Sequence, residues 1–207
     1  MIEFKNVCKK YDNSLVLDNI SFKLPNKGIV YLKGKSGSGK STILNLIAKI
    51  DKPTSGEILY NGINIDLIKH YQSLISYIPT ENSLISFLNV KDNILFSSNK
   101  DIDKEVLNKL NINSMLDKKI DELSGGEMQR ICLIRSLIFE PKVLLLDEVT
   151  SALDAVNTAI VEQVIGELHK NGMTIIAITH SEEQSLRMSN RRITIVDGSL
   201  AKEEVLR

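Results

Sequence analysis

The sequence contains no tryptophan, and phenylalanine and tyrosine together make up only 5% of it. Its core must therefore be assembled from aliphatic side chains, with Ile and Leu supplying most of the burial energy. Only two cysteines occur, Cys8 and Cys132, and neither has a histidine or cysteine at ligand spacing around it. That excludes a disulfide framework and a zinc cluster, and both thiols are expected to be reduced core groups. Lysine and arginine number 26 and aspartate and glutamate 26, so no net charge draws the chain to nucleic acid or to an anionic membrane. Any polyanion must be gripped locally. No run approaches the roughly 18 apolar residues of a membrane-spanning helix. Met1-Ile2-Glu3-Phe4-Lys5 lacks the basic head and apolar stretch of a secretory signal. What is there, 207 residues of which 43% are hydrophobic and 25% charged, suffices for one well-buried domain without staples.

Short strand-like pieces at residues 2–7, 20–24 and 29–33 lead into a glycine-rich segment, after which Ile43, Leu46, Ile47 and Ile50 recur at helical spacing. Asn61-Gly62 between two apolar pieces predicts a tight hairpin. From about residue 80 to 140 the alternation fades, and Val106, Leu107 and Leu110, then Ile131, Ile134 and Ile138, mark a helical insertion. Strand chemistry returns at residues 143–146 and 174–179, separated by a helix over 156–170 that Asn171-Gly172 stops. Asp197-Gly198 predicts a closing hairpin. The expectation is a single α/β domain over 1–207, with its core at 1–79 and 141–207, an N-terminal antiparallel β patch, and an inserted helical subdomain at about 80–140.

Gly34-Lys35-Ser36-Gly37-Ser38-Gly39-Lys40-Ser41 falls between the strand at 29–33 and the helix after it. A chance match to glycine, four residues, then Gly-Lys-Ser is on the order of 1% in such a chain. The strand-loop-helix context argues against a plain surface loop, because backbone N–H groups and a helix N-terminus converge there on one point. Lys40 is placed to reach β- and γ-phosphates and Ser41 to ligate Mg²⁺, with Thr42 completing the set. Thr42 also stands where a dinucleotide fingerprint would need its third glycine.

Asp147 and Glu148 end the apolar strand, where ligands sit in open α/β sheets. Asp147 suits Mg²⁺, and Glu148, facing another side, suits a base for the water that attacks the γ-phosphate. His180 ends the next buried strand, so a parallel sheet brings it to the same edge, where its imidazole can meet the γ-phosphate or that water. Further back, Ser124-Gly125-Gly126-Glu127 combines a capping box with two glycines where a helix begins. It is a second site for an anion at a positive helix end.

Together these motifs resemble the ATP-binding cassette family, the nucleotide-binding subunits of ABC transporters, over nearly the whole chain. Residues 34–41 resemble its Walker A, 143–148 its Walker B with the catalytic glutamate, 123–129 its signature motif, 151–154 its D-loop and His180 its switch histidine. Tyr11 resembles the aromatic that stacks on adenine. The resemblance implies the P-loop NTPase fold of ABC ATPases, ATP and Mg²⁺ as cofactors, and a head-to-tail pair of cassettes, expected to be identical. Each ATP would lie between the Walker A of one chain and the signature of the other. It also implies a cytoplasmic subunit held at the inner membrane face by a multi-pass permease, and no nucleic acid partner. The phrase Asp51-Lys52-Pro53-Thr54-Ser55-Gly56-Glu57 resembles the compact lipoprotein-release, macrolide and peptide-export branch, so export is expected. The alternative is a soluble cassette that serves as an assembly or scaffold component.

Two positions depart from the family pattern. Thr80 follows Tyr77-Ile78-Pro79 where the family usually carries a glutamine near the metal, and Val149 follows Asp147-Glu148 where it commonly has proline. A threonine hydroxyl lacks the reach of a glutamine amide, so Thr80 is expected as a hinge and a weaker metal neighbour. The dense apolar stretch from Leu84 to Phe96 either fills the subdomain core or lines a groove for a partner helix.

Overall fold

The structure is a computed structural model, and it describes residues 1–81, 83–96, 98 and 100–206. In chain order, β1 (Ile2–Tyr11), β2 (Ser14–Leu24), β3 (Gly28–Lys33) and α1 (Lys40–Ile47) are followed by β4 (Ser55–Tyr60), β5 (Ile63–Asn64) and β6 (Ile75–Ile78). The helices α2 (Val90–Leu95), α3 (Lys104–Lys109) and α4 (Gly125–Leu137) come next. The chain returns through β7 (Val143–Asp147), α5 (Ala155–Lys170), β8 (Thr174–Ile178), α6 (Glu182–Met188), β9 (Arg191–Val196) and β10 (Ser199–Val205).

Two sheets form. The antiparallel one has the order β2-β1-β4-β5, and its Asn61-Gly62 turn has φ of 51° and 84°, the left-handed pair that a two-residue hairpin needs. The other has the order β10-β9-β3-β8-β7-β6, parallel throughout except for the final hairpin.

The six-stranded sheet is the middle layer. Val30, Leu32, Leu145 and Ile176 face one core, shared with α1 and the antiparallel sheet, while Ile29, Tyr31, Leu144 and Ile175 face the other, shared with α2–α5. Burial on both faces explains why β7 and β8 read as unbroken apolar runs. The parallel register pairs Leu146 with Ala177 and Asp147 with Ile178, so the carboxyl ends of β7 and β8 finish side by side.

In α1, Ile43, Leu44, Leu46 and Ile47 are fully buried. Each such side chain stabilises the fold by about 1.5–3 kcal/mol. The helix stops before Ile50, which sequence spacing had placed on the same face: Lys49 turns left-handed at φ 56°, and Ile50 is left exposed. The insertion is helical, built of short helices and 3₁₀ turns. Part of its apolar stretch fills the core, since Val90 and Ile94 are buried, while Phe87 and Phe96 are exposed. Cys132 is buried, whereas Cys8 is only half-buried and its sulfur accepts from the Asn19 N–H at 3.2 Å.

Candidate functional site

The loop after β3 is shaped by what it cannot accommodate. Gly34 has φ 150°, and a Cβ there would lie 2.3 Å from the Ile195 carbonyl oxygen and 2.5 Å from Ser38 Oγ. Only glycine permits this wrap. Lys40 opens α1 buried, and its Nζ donates to the Gly34 and Lys35 carbonyls at 3.0 and 2.8 Å. Burial lowers the proton affinity of that ammonium, against the pull of Glu148 and Asp147. Ser38 Oγ is buried without a partner, an orphan that an oxyanion-bearing ligand suits.

A cleft of ≈ 310 Å³ is lined by Tyr11, Val16, Ser36, Gly37, Gly39, Lys40, Ser41, Thr42, Glu148 and His180. Residues from β1, β2, the glycine loop and the ends of β7 and β8 thus meet; of these, the approach of Glu148 and His180 at one sheet edge was expected from the two buried strands, and Tyr11 from the resemblance. Asp147 sits just behind it, 3% exposed. Burial raises its proton affinity, while hydrogen bonds from Ser41 and Tyr77 work the other way. One of its carboxylate oxygens, Oδ1, is buried with no partner. Glu148 follows in a left-handed turn, φ 54°, with its N–H donating to the Ile178 carbonyl at 3.1 Å. Its Oε1 lies 2.6 Å from His180 Nε2.

The residues fit both expected ligands. Ser41 and Asp147 offer only oxygen, and an open carboxylate oxygen beside a hydroxyl suits a hard cation such as Mg²⁺. Among the described residues no group of three or more His, Cys, Asp or Glu forms a metal cage.

Tyr11 lines the cleft, with its hydroxyl donating to Asp51 Oδ2 at 2.6 Å and Lys9 Nζ 4.6 Å from its ring centroid. Lys35 points outward and contributes its carbonyl rather than its side chain. Thr80 is exposed and does not line the cleft; its carbonyl accepts from Gln129 Nε2 at 3.0 Å. Two residues past the end of β6, the backbone is tied to α4. The group that does reach Asp147 from this segment is Tyr77, whose hydroxyl stands 3.3 Å from Oδ2. Sequence reading missed it, although its place on the strand leading to Pro79 was the available signal.

The signature residues lie elsewhere on the surface. Ser124 caps α4, with its Oγ accepting from the Glu127 N–H at 3.3 Å while Glu127 Oε2 accepts from the Ser124 N–H at 2.7 Å. Ser124 and Gly125 are exposed, nothing lies within 4 Å of a Cβ built on Gly125, and Gly126 packs against Leu153 of the D-loop. None of the four lines the cleft around Lys40.

A glycine loop between a parallel strand and a helix, faced by an acid pair and a histidine at adjoining strand ends, defines a P-loop nucleoside triphosphatase. The family is then specific: the ABC transporter model matches residues 17–151, and the chain belongs to that family as one of its ATPase cassettes. The chain is 38% identical over 210 residues to the spermidine/putrescine import ATP-binding protein PotA of Mycoplasma mycoides subsp. mycoides SC, covering 97% of this chain and 60% of that protein. It is 31% identical over 212 residues to the Fe(3+) ions import ATP-binding protein FbpC of Photobacterium profundum, covering 98% and 60%. The chain thus spans about 60% of the length of these curated relatives. The ATP-binding cassette MJ0796, solved as a dimer in a post-hydrolysis state bound to ADP and Pi, superposes with a TM-score of 0.89 at 28% identity, covering 100% of this chain and 99% of that one.

Proposed function

We propose that this chain is the ATP-hydrolysing subunit of a membrane transporter, working as a pair of identical copies that drive a separate multi-pass permease. The observation that carries the reading is a separation: the exposed Ser124-Gly125 helix tip does not line the cleft that holds Lys40, Glu148 and His180. Each chain then offers two half-sites, and a triphosphate in the cleft of one copy is closed over by the signature tip of the other. Binding brings the copies together, and loss of the γ-phosphate releases them.

Within the site, loop amides and Lys40 hold the phosphates, and Tyr11 stacks on the base. Glu148 accepts the proton of the attacking water, while His180 fixes the carboxylate and senses the third phosphate. Ser41 and Asp147 would hold Mg²⁺, which supplies charge neutralisation on the phosphate oxygens. Thr80 is not among the residues that line the cleft, and we assign it only the role of the hinge beside it.

A cavity of ≈ 290 Å³ lined by Tyr77, Ser83, Phe96, Cys132, Arg135 and Phe139 supports a permease segment docking on the helical subdomain. Its two phenylalanines are half exposed. No helix among the described residues is long and apolar enough to cross a membrane, so attachment to the inner face of the cell membrane rests on that permease. The relatives named above carry import names, and on their account we favour import over the export expected from residues 51–57. The deciding experiment is size measurement of a Glu148→Gln chain saturated with MgATP, alongside co-purification from membranes. Dimers and a co-purifying multi-pass protein are expected; single chains with only soluble partners would defeat the reading.

A further inference from the structure

Behind the catalytic rim, α6 buries the polar side chains of Gln184 and Ser185, and Gln184 sits at the centre of a hydrogen-bond network. Gln184 is 3% exposed, and its amide oxygen accepts from two hydroxyls at once, Thr179 Oγ1 at 2.6 Å and Thr150 Oγ1 at 3.1 Å. Its Nε2 donates to Glu162 Oε1 at 3.1 Å. Glu162 is in turn held on α5 by Arg187, whose Nη2 lies 2.7 and 2.8 Å from its two oxygens.

The polarity of this network is determined by chemistry. A carboxylate only accepts, so Glu162 forces the amide nitrogen toward itself and the amide oxygen toward the threonines. Thr179 Oγ1 already accepts from the Ser181 N–H at 3.1 Å, so its single proton is directed to Gln184.

The two threonines are not arbitrary surface groups. Thr150 stands two residues after Glu148, at the exit of β7, and Thr179 stands one residue before His180, at the exit of β8. Between these exits lies the 2.6 Å contact of Glu148 with His180. Glu148 holds a left-handed backbone conformation that non-glycine residues rarely adopt, and its turn continues into the Ser151 N–H bond to the Glu148 carbonyl at 2.9 Å. A single amide oxygen therefore clasps the two loops whose spacing sets the acid–imidazole geometry.

We propose that Gln184 is a positioning residue for hydrolysis: by bridging Thr150 and Thr179 it fixes Glu148 and His180 relative to one another, without touching nucleotide. The inference rests on the reading of Glu148 and His180 as the hydrolytic pair given above. It predicts a loss in turnover rather than in binding, because the phosphate loop and Tyr11 share no contact with the clasp.

Gln184→Met keeps the length and removes both donor and acceptor. In purified full-length chain, kcat for MgATP is expected to fall about tenfold, since small misplacements of reacting groups cost up to about 100-fold. KM should stay close to wild type, while the melting temperature falls by a few degrees, because Thr150, Thr179 and Glu162 each lose a buried partner. In a His180→Ala background, the same substitution should cost nothing further, because the geometry it protects is already gone. Thr179→Val should reproduce the Gln184→Met loss and Thr179→Ser should restore the rate, which keeps the test available if the methionine variant folds poorly. An unchanged kcat in both Gln184→Met and Thr179→Val, or a second equal loss when Gln184→Met is added to a slow His180→Ala chain, would overturn the inference alone. A His180→Ala chain as fast as wild type would instead remove the reading of the pair, and the inference with it.

Discussion

The Gln129 side chain donates from Nε2 to the Thr80 carbonyl at 3.0 Å, joining the helix that bears the exposed glycine tip to the strand that leaves the core for the helical subdomain. Gln129 is 7% exposed, and its other amide atom, Oε1, is buried without a partner. The connection runs through the backbone of residue 80, so it is indifferent to the side chain there. What a threonine forfeits is reach toward Asp147, which from this segment is approached by the Tyr77 hydroxyl.

A glutamine at position 80 should therefore be accepted without structural cost. The Thr80→Gln chain is expected to match wild-type stability within about 0.5 kcal/mol, as exposed substitutions usually do. With its permease present, ATPase stimulation should rise, because an amide regains access to the metal side of the cleft. Stimulated rates identical to wild type would sink the idea that Thr80 is a weaker metal neighbour than a glutamine.

Asp147 should be a residue whose charge opposes folding. Burial lifts its folded pKa above the unfolded value, so the ionised carboxylate destabilises the fold above that folded pKa. The penalty fades as pH falls toward the unfolded value. Thermal melts of nucleotide-free Asp147→Asn chain should lie above wild type at neutral pH, with the gap closing through the carboxylate range, while hydrolysis is lost. A variant less stable than wild type at every pH would contradict the assignment.

Complementation tests the two half-sites directly. Lys40→Ala removes a buried cation from the phosphate loop, and Gly125→Asp puts a charge on the open helix tip, where space allows it. Each pure variant should be inactive. Mixed in equal amounts, random pairing leaves one intact composite site in half the dimers, so turnover should recover to roughly a quarter of wild type. No recovery on mixing would mean that the halves do not meet across a dimer.

Tyr11, proposed to stack on the base, is held in place by two neighbours. Asp51 holds its hydroxyl at 2.6 Å, and Lys9, itself on Asp51 Oδ1 at 2.5 Å, lies over its ring. Tyr11→Ala should weaken MgATP binding about tenfold or more, since stacking on a base is worth about 1–3 kcal/mol. Tyr11→Phe and Asp51→Asn should each cost less and by similar factors. Equilibrium titration with a fluorescent adenine nucleotide reads all three, and an undiminished affinity in Tyr11→Ala would remove the base-stacking role.

Much of this molecule is legible from the chain because its chemistry is local. The glycine loop, the Asn61-Gly62 turn and the Asn171-Gly172 stop of α5 each depend on backbone conformations that few residues accept. The alternative-free apolar runs of β7 and β8 announce a sheet covered on both faces, and from that the meeting of Glu148 with His180 follows. Other parts left no local trace. Helix α6 buries Gln184 and Ser185 rather than an apolar stripe, so hydrophobic periodicity is silent there. Tyr77 acquires its role only because β6 pairs with β7, a contact across 70 residues of sequence. Ile50 kept the helical spacing, yet a left-handed Lys49 ended the helix first.

The turn between β9 and β10 closes against the opposite end of the sequence. A Cβ on Gly198 would lie 2.4 Å from the Val16 carbonyl oxygen, and the Asp18 N–H donates to the Gly198 carbonyl at 2.9 Å. Val16 belongs to the wall beside Tyr11. During synthesis, that wall stays unfinished until the ribosome has delivered the turn at Gly198, so a nascent cassette gains its grip on nucleotide only after β9 has emerged.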